Sequence, residues 1–439
     1  MRYTPATEAE RQQMLSEIGV KKIDDLYADV PKNILLKKDL QVGAGLSEQE
    51  LTNHLIELSQ KNKLNTSFLG AGYYNHYIPS AVDHIISRSE FYTSYTPYQA
   101  EISQGVLQAL FEYQSIMCEL TGQEVSNATM YDGSTALAEA AVMAHNITKR
   151  DEILVSDTLH PHYRQVLKTY CKAGGLKLKV IEAVDGTSSN IEPTDKTAAV
   201  IIQSPNFFGI IEDTQEMREK TQNAGALTIA CVIEASSLAL LKPPTADITC
   251  GEGQAFGNTL SFGGPSFGFL TTNMEHVRQM PGRLVGETAD SDGKRGYVLT
   301  LQAREQHIRR EKATSNICSN EALCALRAVI YLSLIGKTGL KELAALNYNK
   351  AEFAKSVLEK IPGVTVKRSS PTFNEFTIAL TKNADDIVYK MVDKGFAAGF
   401  PLGRFYKGMD NYLLLAVTEK RTREEILKFG DSLEAALCD

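Results

Sequence analysis

The sequence predicts an α/β large domain on a mainly parallel sheet, preceded by a helical arm and followed by a small α+β domain. Three observations carry this. Between about Met130 and Thr272 short apolar runs alternate with helical stretches, the pattern of strands buried on both faces and joined by crossover helices. From Gly363 onward the order becomes strand, strand, helix, strand, helix, which suits a separate subdomain. Before the alternation begins, the chain reads as helical and polar. The expected divisions are 1–62 for the arm, 63–335 for the large domain and 336–439 for the small domain.

In the arm, Thr7 with Glu10 and Ser47 with Glu50 fit the capping box that opens a helix. Leu51, Leu55, Ile56 and Leu58 then form a helical apolar stripe, expected to be a packing face. In the large domain, residues 152–156 are a short apolar run and 162–172 a helix. Residues 178–181 are a strand candidate, and the apolar run 198–203 ends at Ser204-Pro205. A polar helix at 214–223 precedes strand candidates at 227–233, 247–250 and 268–271. Loops at the carboxyl ends of such strands carry the site in open α/β sheets. From 316 to 358 the pattern is helical, and 373–380 and 412–417 read as strands. Thr422 with Glu425 caps the last helix.

Composition excludes several classes. The 439 residues carry a formal net charge of −7, whereas a nucleic-acid footprint needs a basic patch. The seven cysteines are odd in number and contain no C-x-x-C pair, against a secreted disulfide framework or a metal knuckle. The N-terminal stretch has no apolar signal core, and no apolar run approaches the roughly 20 residues of a membrane helix. A reducing, cytoplasmic location is expected, with neither nucleic acid nor membrane as partner.

Several motifs fail on inspection. Gly251, Gly253 and Gly257 are mis-spaced for a dinucleotide loop, and Gly336-Lys337-Thr338 lacks the leading glycine of a P-loop, because that place is Tyr331. His160 and His162, flanking Pro161, have no nearby carboxylate or cysteine cluster and read as packing and capping residues, not metal ligands. Gly133, Ser134 and Thr135 feed an alanine-rich helix and would suit an anion. A plain N-cap by Asp132 or Ser134 explains the same residues. Two polar-aromatic clusters stay unassigned: Tyr73, Tyr74, Asn75 and His76, and then Tyr95, Thr96, Tyr98, Gln99 and Glu101. Tyrosines on glycine- and proline-bearing loops give rigid contacts with a polar tip. No lysine occurs between Lys242 and Lys294.

The runs YTPYQAEISQG from Tyr95, MYDGSTALAEAA from Met130 and the forty residues from Pro281 to Asn320 together resemble one family. LGRFYK from Leu402 and VTEKRT from Val417 extend the likeness into the small domain. The chain resembles the α-subunit family of the two-chain glycine dehydrogenase (decarboxylating), the P-protein of the glycine cleavage system. The resemblance implies the pyridoxal phosphate (PLP) fold type I and an α2β2 assembly. It also implies that PLP sits on the β subunit (subunit 2), which supplies the Schiff-base lysine. The implied reaction is glycine decarboxylation with PLP as electron sink, the aminomethyl group passing to the lipoyl arm of H-protein.

The lysine gap fits a subunit without the catalytic amine, as does Glu234 where the fold expects an aspartate. No catalytic residue is then expected in this chain. Tyr95, Thr96, Tyr98, Gln99, Glu101, Tyr73, Asn75 and His76 are the expected pocket or subunit-interface residues. Gly133, Ser134 and Thr135 become a vestigial phosphate cradle. Arg304, Arg309 and Arg310 with Glu305 and Glu311 read as a charge-patterned helix that pairs along its surface or docks a partner. Two other readings stand beside this one: a non-catalytic scaffold of the PLP fold, and a self-sufficient enzyme using a lysine such as Lys242.

Overall fold

The computed structural model describes residues 6–38, 40–317, 320–367 and 370–438. The chain divides into two compact units, one ending at Lys63 and one running from Leu64. The first unit holds α1 (Glu8–Ile18) and α2 (Glu48–Ser59), each opened by the expected capping box. The stripe on α2 is not a packed face: Leu51, Leu55, Ile56 and Leu58 are all exposed.

In the second unit, β1 (Thr66–Ser67), α3 (Ser80–Ile86) and α4 (Gln104–Thr121) lead into the large domain. There follow β2 (Val125–Ser126), α5 (Gly133–Thr148), β3 (Glu152–Ser156), α6 (Pro161–Gly174), β4 (Lys177–Ile181), β5 (Thr197–Gln203), α7 (Thr214–Ala224), β6 (Leu227–Val232), β7 (Ile248–Glu252) and β8 (Gly268–Thr272). These strands make one seven-stranded sheet in the order β2-β8-β7-β6-β5-β3-β4. From β4 to β7 the pairing is parallel, and β8 runs antiparallel to both β7 and β2. β3, β5, β7 and β8 are buried along their whole length, so their apolar runs reflect a sheet covered on both faces.

The run from Pro281 to Asn320 holds an unexpected element. β9 (Leu284–Ala289) and β10 (Arg295–Thr300) form an antiparallel hairpin, followed by the one-turn α8 (Gln306–Arg309). The charge-patterned helix expected there is corrected on this point. Arg304 is not a surface pairing group; its guanidinium donates to the main-chain oxygens of Met280 and Gly282.

The long helix α9 (Ala322–Leu358) leaves helical geometry at Gly336, where φ is 67°. Before that point Cys324, Ala325, Ala328 and Tyr331 join a large-domain core with α4; after it Ala351, Ala354 and Leu358 join the small-domain core. In contrast to the sequence expectation, α9 is long and apolar enough to cross a membrane by length and composition. Its burial in two cores accounts for that composition. The small domain comprises β11 (Val364–Val366), β12 (Glu375–Leu380), α10 (Ala384–Asp393), β13 (Phe396–Ala397), β14 (Phe400–Pro401), β15 (Tyr412–Ala416) and α11 (Arg423–Cys438). The capping box of Thr422 and Glu425 opens α11. Six described cysteines are free thiols, and Cys318 lies outside the described residues.

Candidate functional site

The loop after β2 delivers Asp132 to the start of α5. The Asp132 carboxylate accepts from the backbone N–H of Ser134 at 2.8 Å and of Thr135 at 3.0 Å, and from the Ser134 hydroxyl. The remaining N–H, that of Gly133, donates at 3.0 Å to Glu252 at the end of β7. Glu252 also accepts from the Gln254 N–H at 3.2 Å and from the Ser266 hydroxyl, and is 1% exposed. Hence the two carboxylates take all three N–H groups that would cradle a phosphate. Gly133 is required by close approach: a Cβ there would stand 2.9 Å from the Glu252 nitrogen. Burial raises the Glu252 carboxyl to about 7, against hydrogen bonds from Ser266 and Gly133 that favour its charge.

The segment 70–77 threads across the same end of the sheet. Gln254 clamps the main chain of Tyr74 on both sides, accepting from its N–H at 2.9 Å and donating to its oxygen at 3.1 Å. Glu375, at the start of β12, accepts from the Ala71 N–H at 2.7 Å and the Tyr74 hydroxyl at 2.9 Å. His160 lies 2.8 Å from the Ala71 oxygen through Nε2, and its ring stands against Gly72, whose φ is 109°. Burial lowers the His160 imidazole to about 4, so it is neutral and donates through Nε2. Its Nδ1 accepts from the His162 N–H at 3.2 Å, the capping role expected.

His76 closes this segment. Its Nε2 lies 3.1 Å from Glu234 and its Nδ1 2.8 Å from Glu419, all three side chains being buried. Burial works against an imidazolium, but the charge and hydrogen bond of Glu234, then those of Glu419, prevail and lift His76 to about 10. Glu234 also accepts from the Ser236 N–H at 3.0 Å and the Asn374 amide at 3.2 Å. Since Glu234 lies just beyond β6 and Asn374 and Glu419 belong to the small domain, His76 staples the two domains together. Asn75 is held from the same side, by Lys420 at 3.0 Å and Thr418 at 2.9 Å. Burial, then the Glu252 charge, hold the ionisation of the Tyr73 hydroxyl well above the usual phenol range.

The second cluster is built differently. Tyr95 is 88% exposed and Tyr98 48%, while Gln99 and Glu101 are also exposed. Beneath them lies buried Arg283, which donates to the Thr96 hydroxyl and, at 2.9 Å, to the Tyr98 hydroxyl, with its guanidinium 4.9 Å from the Tyr98 ring. Arg283 in turn sits 3.9 Å from buried Glu305. The structure therefore places the sequence-derived residues in two groups, one inside the chain and one on its surface.

Sequence reasoning passed over Glu252, Glu375, Glu419 and Arg283. Glu252 was readable as a carboxylate closing an apolar strand, and Arg283 lay within the forty-residue run.

A PLP site on this chain does not fit these residues. The cradle is filled by carboxylates, Glu234 is committed to His76, Ser236 and Asn374, and no lysine occurs from 243 to 293. Lys242 itself is exposed, in a surface groove with Asp213, Thr214 and Pro243.

The family described as "Glycine cleavage system P-protein" matches residues 1–433. A relative from Geotalea uraniireducens, described as probable glycine dehydrogenase (decarboxylating) subunit 1, is 51% identical over 444 residues, covering 100% of both chains. A crystal structure of glycine decarboxylase (P-protein) of the glycine cleavage system, in inhibitor-bound form, superposes with a TM-score of 0.90 at 43% identity, covering 100% of each chain. Glutamate decarboxylase from Lactobacillus brevis shares the fold alone, with a TM-score of 0.68 at 12% identity over 94% of this chain and 97% of that one. The architecture is the PLP-dependent fold type I.

Proposed function

The chain belongs to the glycine cleavage system P-protein family, and we propose that it is the α subunit of a two-chain glycine decarboxylase whose PLP is held by subunit 2. The filled cradle supports this reading most directly. Every backbone N–H that would hold a cofactor phosphate already serves Asp132 or Glu252. PLP, when bound to the partner, supplies the electron sink for glycine decarboxylation. The partner is subunit 2 in an α2β2 assembly, and the lipoyl arm of H-protein accepts the aminomethyl group.

What this chain contributes follows from its two clusters. Tyr95, Tyr98, Gln99 and Glu101 stand exposed on a loop whose base is fixed by Arg283. Such rigid aromatic side chains cost little entropy on docking and can orient a neighbouring group while excluding water. Tyr73, Asn75 and His76 brace the loop system from within. Burial of Tyr74 and His76 favours a second reading for that segment alone, a scaffold that shapes the partner's pocket without touching it.

Reconstitution separates the two. The isolated chain is expected to show no aldimine absorbance after incubation with PLP, and adding it to subunit 2 is expected to restore glycine decarboxylation. Full activity of subunit 2 alone would remove this chain from the site and leave only the scaffold.

A further inference from the structure

We infer that Glu252 is the residue that keeps a phosphorylated cofactor off this chain, its carboxyl group occupying the anion position at the N-terminus of α5. This deepens the reading that PLP belongs to the partner, and rests on it.

Four observations converge. First, the carboxylate occupies the anion position chemically: it accepts from the Gly133 and Gln254 N–H groups and from the Ser266 hydroxyl, the mixture of amide and hydroxyl donors that a phosphate would use. Second, its neighbour Asp132 consumes the other two helix N–H groups, so an entering phosphate meets two carboxylates instead of open donors. Third, the next side-chain donor along the chain is already committed: the Gln254 amide is spent on the Tyr74 main chain and the Asn258 oxygen. Fourth, the group is 1% exposed, so its side chain fills the position and does not merely line its rim. Nothing in a helix cap alone asks for Glu252, since Asp132 already caps α5. A buried acid is expensive to keep, and exclusion of an anion from a pocket of this fold gives it a role.

The full-length chain provides the test, with inorganic phosphate as the probe and sodium chloride at matched ionic strength as the control. Thermal melting of the wild type is expected to be unchanged by phosphate. Glu252→Ala and Glu252→Ser free the Gly133 N–H and the Ser266 hydroxyl, and the serine also offers a small replacement partner. Whichever variant melts cooperatively is expected to gain roughly 2 °C or more in phosphate over the chloride control, and to do the same with PLP without trapping it on borohydride treatment. A phosphate-dependent rise in the wild type overturns the inference regardless of the variants. So does a folded variant that ignores phosphate. Neither result bears on reconstituted decarboxylation with subunit 2, so failure here and failure of the subunit assignment are read in different assays.

Discussion

Two segments rich in tyrosine, glycine and small polar residues, 70–77 and 93–102, end in opposite environments. In the first, Tyr74 and His76 are buried and each is met by a carboxylate, Glu375 for Tyr74 and the pair Glu234 and Glu419 for His76. In the second, Tyr95 and Ile102 are exposed, and a buried cation, Arg283, donates to the hydroxyls of Thr96 and Tyr98. Composition does not decide between these fates; distant charged residues do. A loop whose polar groups find buried counter-groups on both domains becomes part of the core. A loop held at its base by a buried guanidinium, with its aromatic rings exposed, keeps those faces for something else.

The contrast breaks most visibly at His76. Replacing it with leucine leaves Glu234 and Glu419 buried without their cation and is expected to cost about 3–5 kcal/mol of unfolding free energy, read by urea denaturation. The sign with pH follows from the raised imidazole. His76 titrates near 10 in the folded chain against roughly 6.5 unfolded. Its contribution is therefore complete below about 6.5 and is lost as pH rises toward 10. His76→Leu should erase that part of the slope; an unchanged alkaline limb would mean the staple carries no charge.

Next come two buried acids. Glu252 and Glu375 are both raised to about 7 by burial. Each holds a proton in the folded chain that it has lost in the unfolded one, so stability falls as pH rises from about 4.5 to 7. Glu252→Gln should lessen this fall by on the order of 2 kcal/mol, leaving the share of Glu375. Unfolding measured at the two ends of that window checks it; an identical slope in the variant would show that Glu252 is ionised throughout.

The fold was legible because the sheet is buried on both faces: strands such as β3 and β5 are continuous apolar runs, and β3 lies where the run placed it. The hairpin β9–β10 escaped notice because its burial is uneven, with exposed Glu287, Thr288 and Ala289 at one end. Legibility of the site was narrower. Gly133, Ser134 and Thr135 were readable as an anion cradle from local chemistry alone. That Glu252, more than a hundred positions away, fills it depends on β7 lying beside β8, which no local pattern reports. The same holds for Glu234 and Glu419, which meet only through His76.

Arg283 tests the surface side of the comparison. Arg283→Lys keeps the charge but loses the fork that reaches Thr96 and Tyr98 together. A cost of about 1–2 kcal/mol in stability is expected, with a larger loss of subunit-2-dependent activity. An equal loss in both would make Arg283 merely structural.

The smallest effect on this chain, and the most informative about its partner, is expected at Tyr95. An exposed side chain contributes little to folding, so Tyr95→Ala should change unfolding free energy by less than about 0.5 kcal/mol. If subunit 2 covers the ring, the same substitution removes an aromatic anchor worth about 2 kcal/mol, or roughly thirty-fold in affinity. The two measurements pull apart only for an interface residue. Titration of subunit 2 with wild type and variant, followed by recovered decarboxylation, reads the second. Unchanged binding with unchanged stability would make 93–102 an ordinary surface loop, and would move the search for the docking face to the exposed apolar stripe of α2.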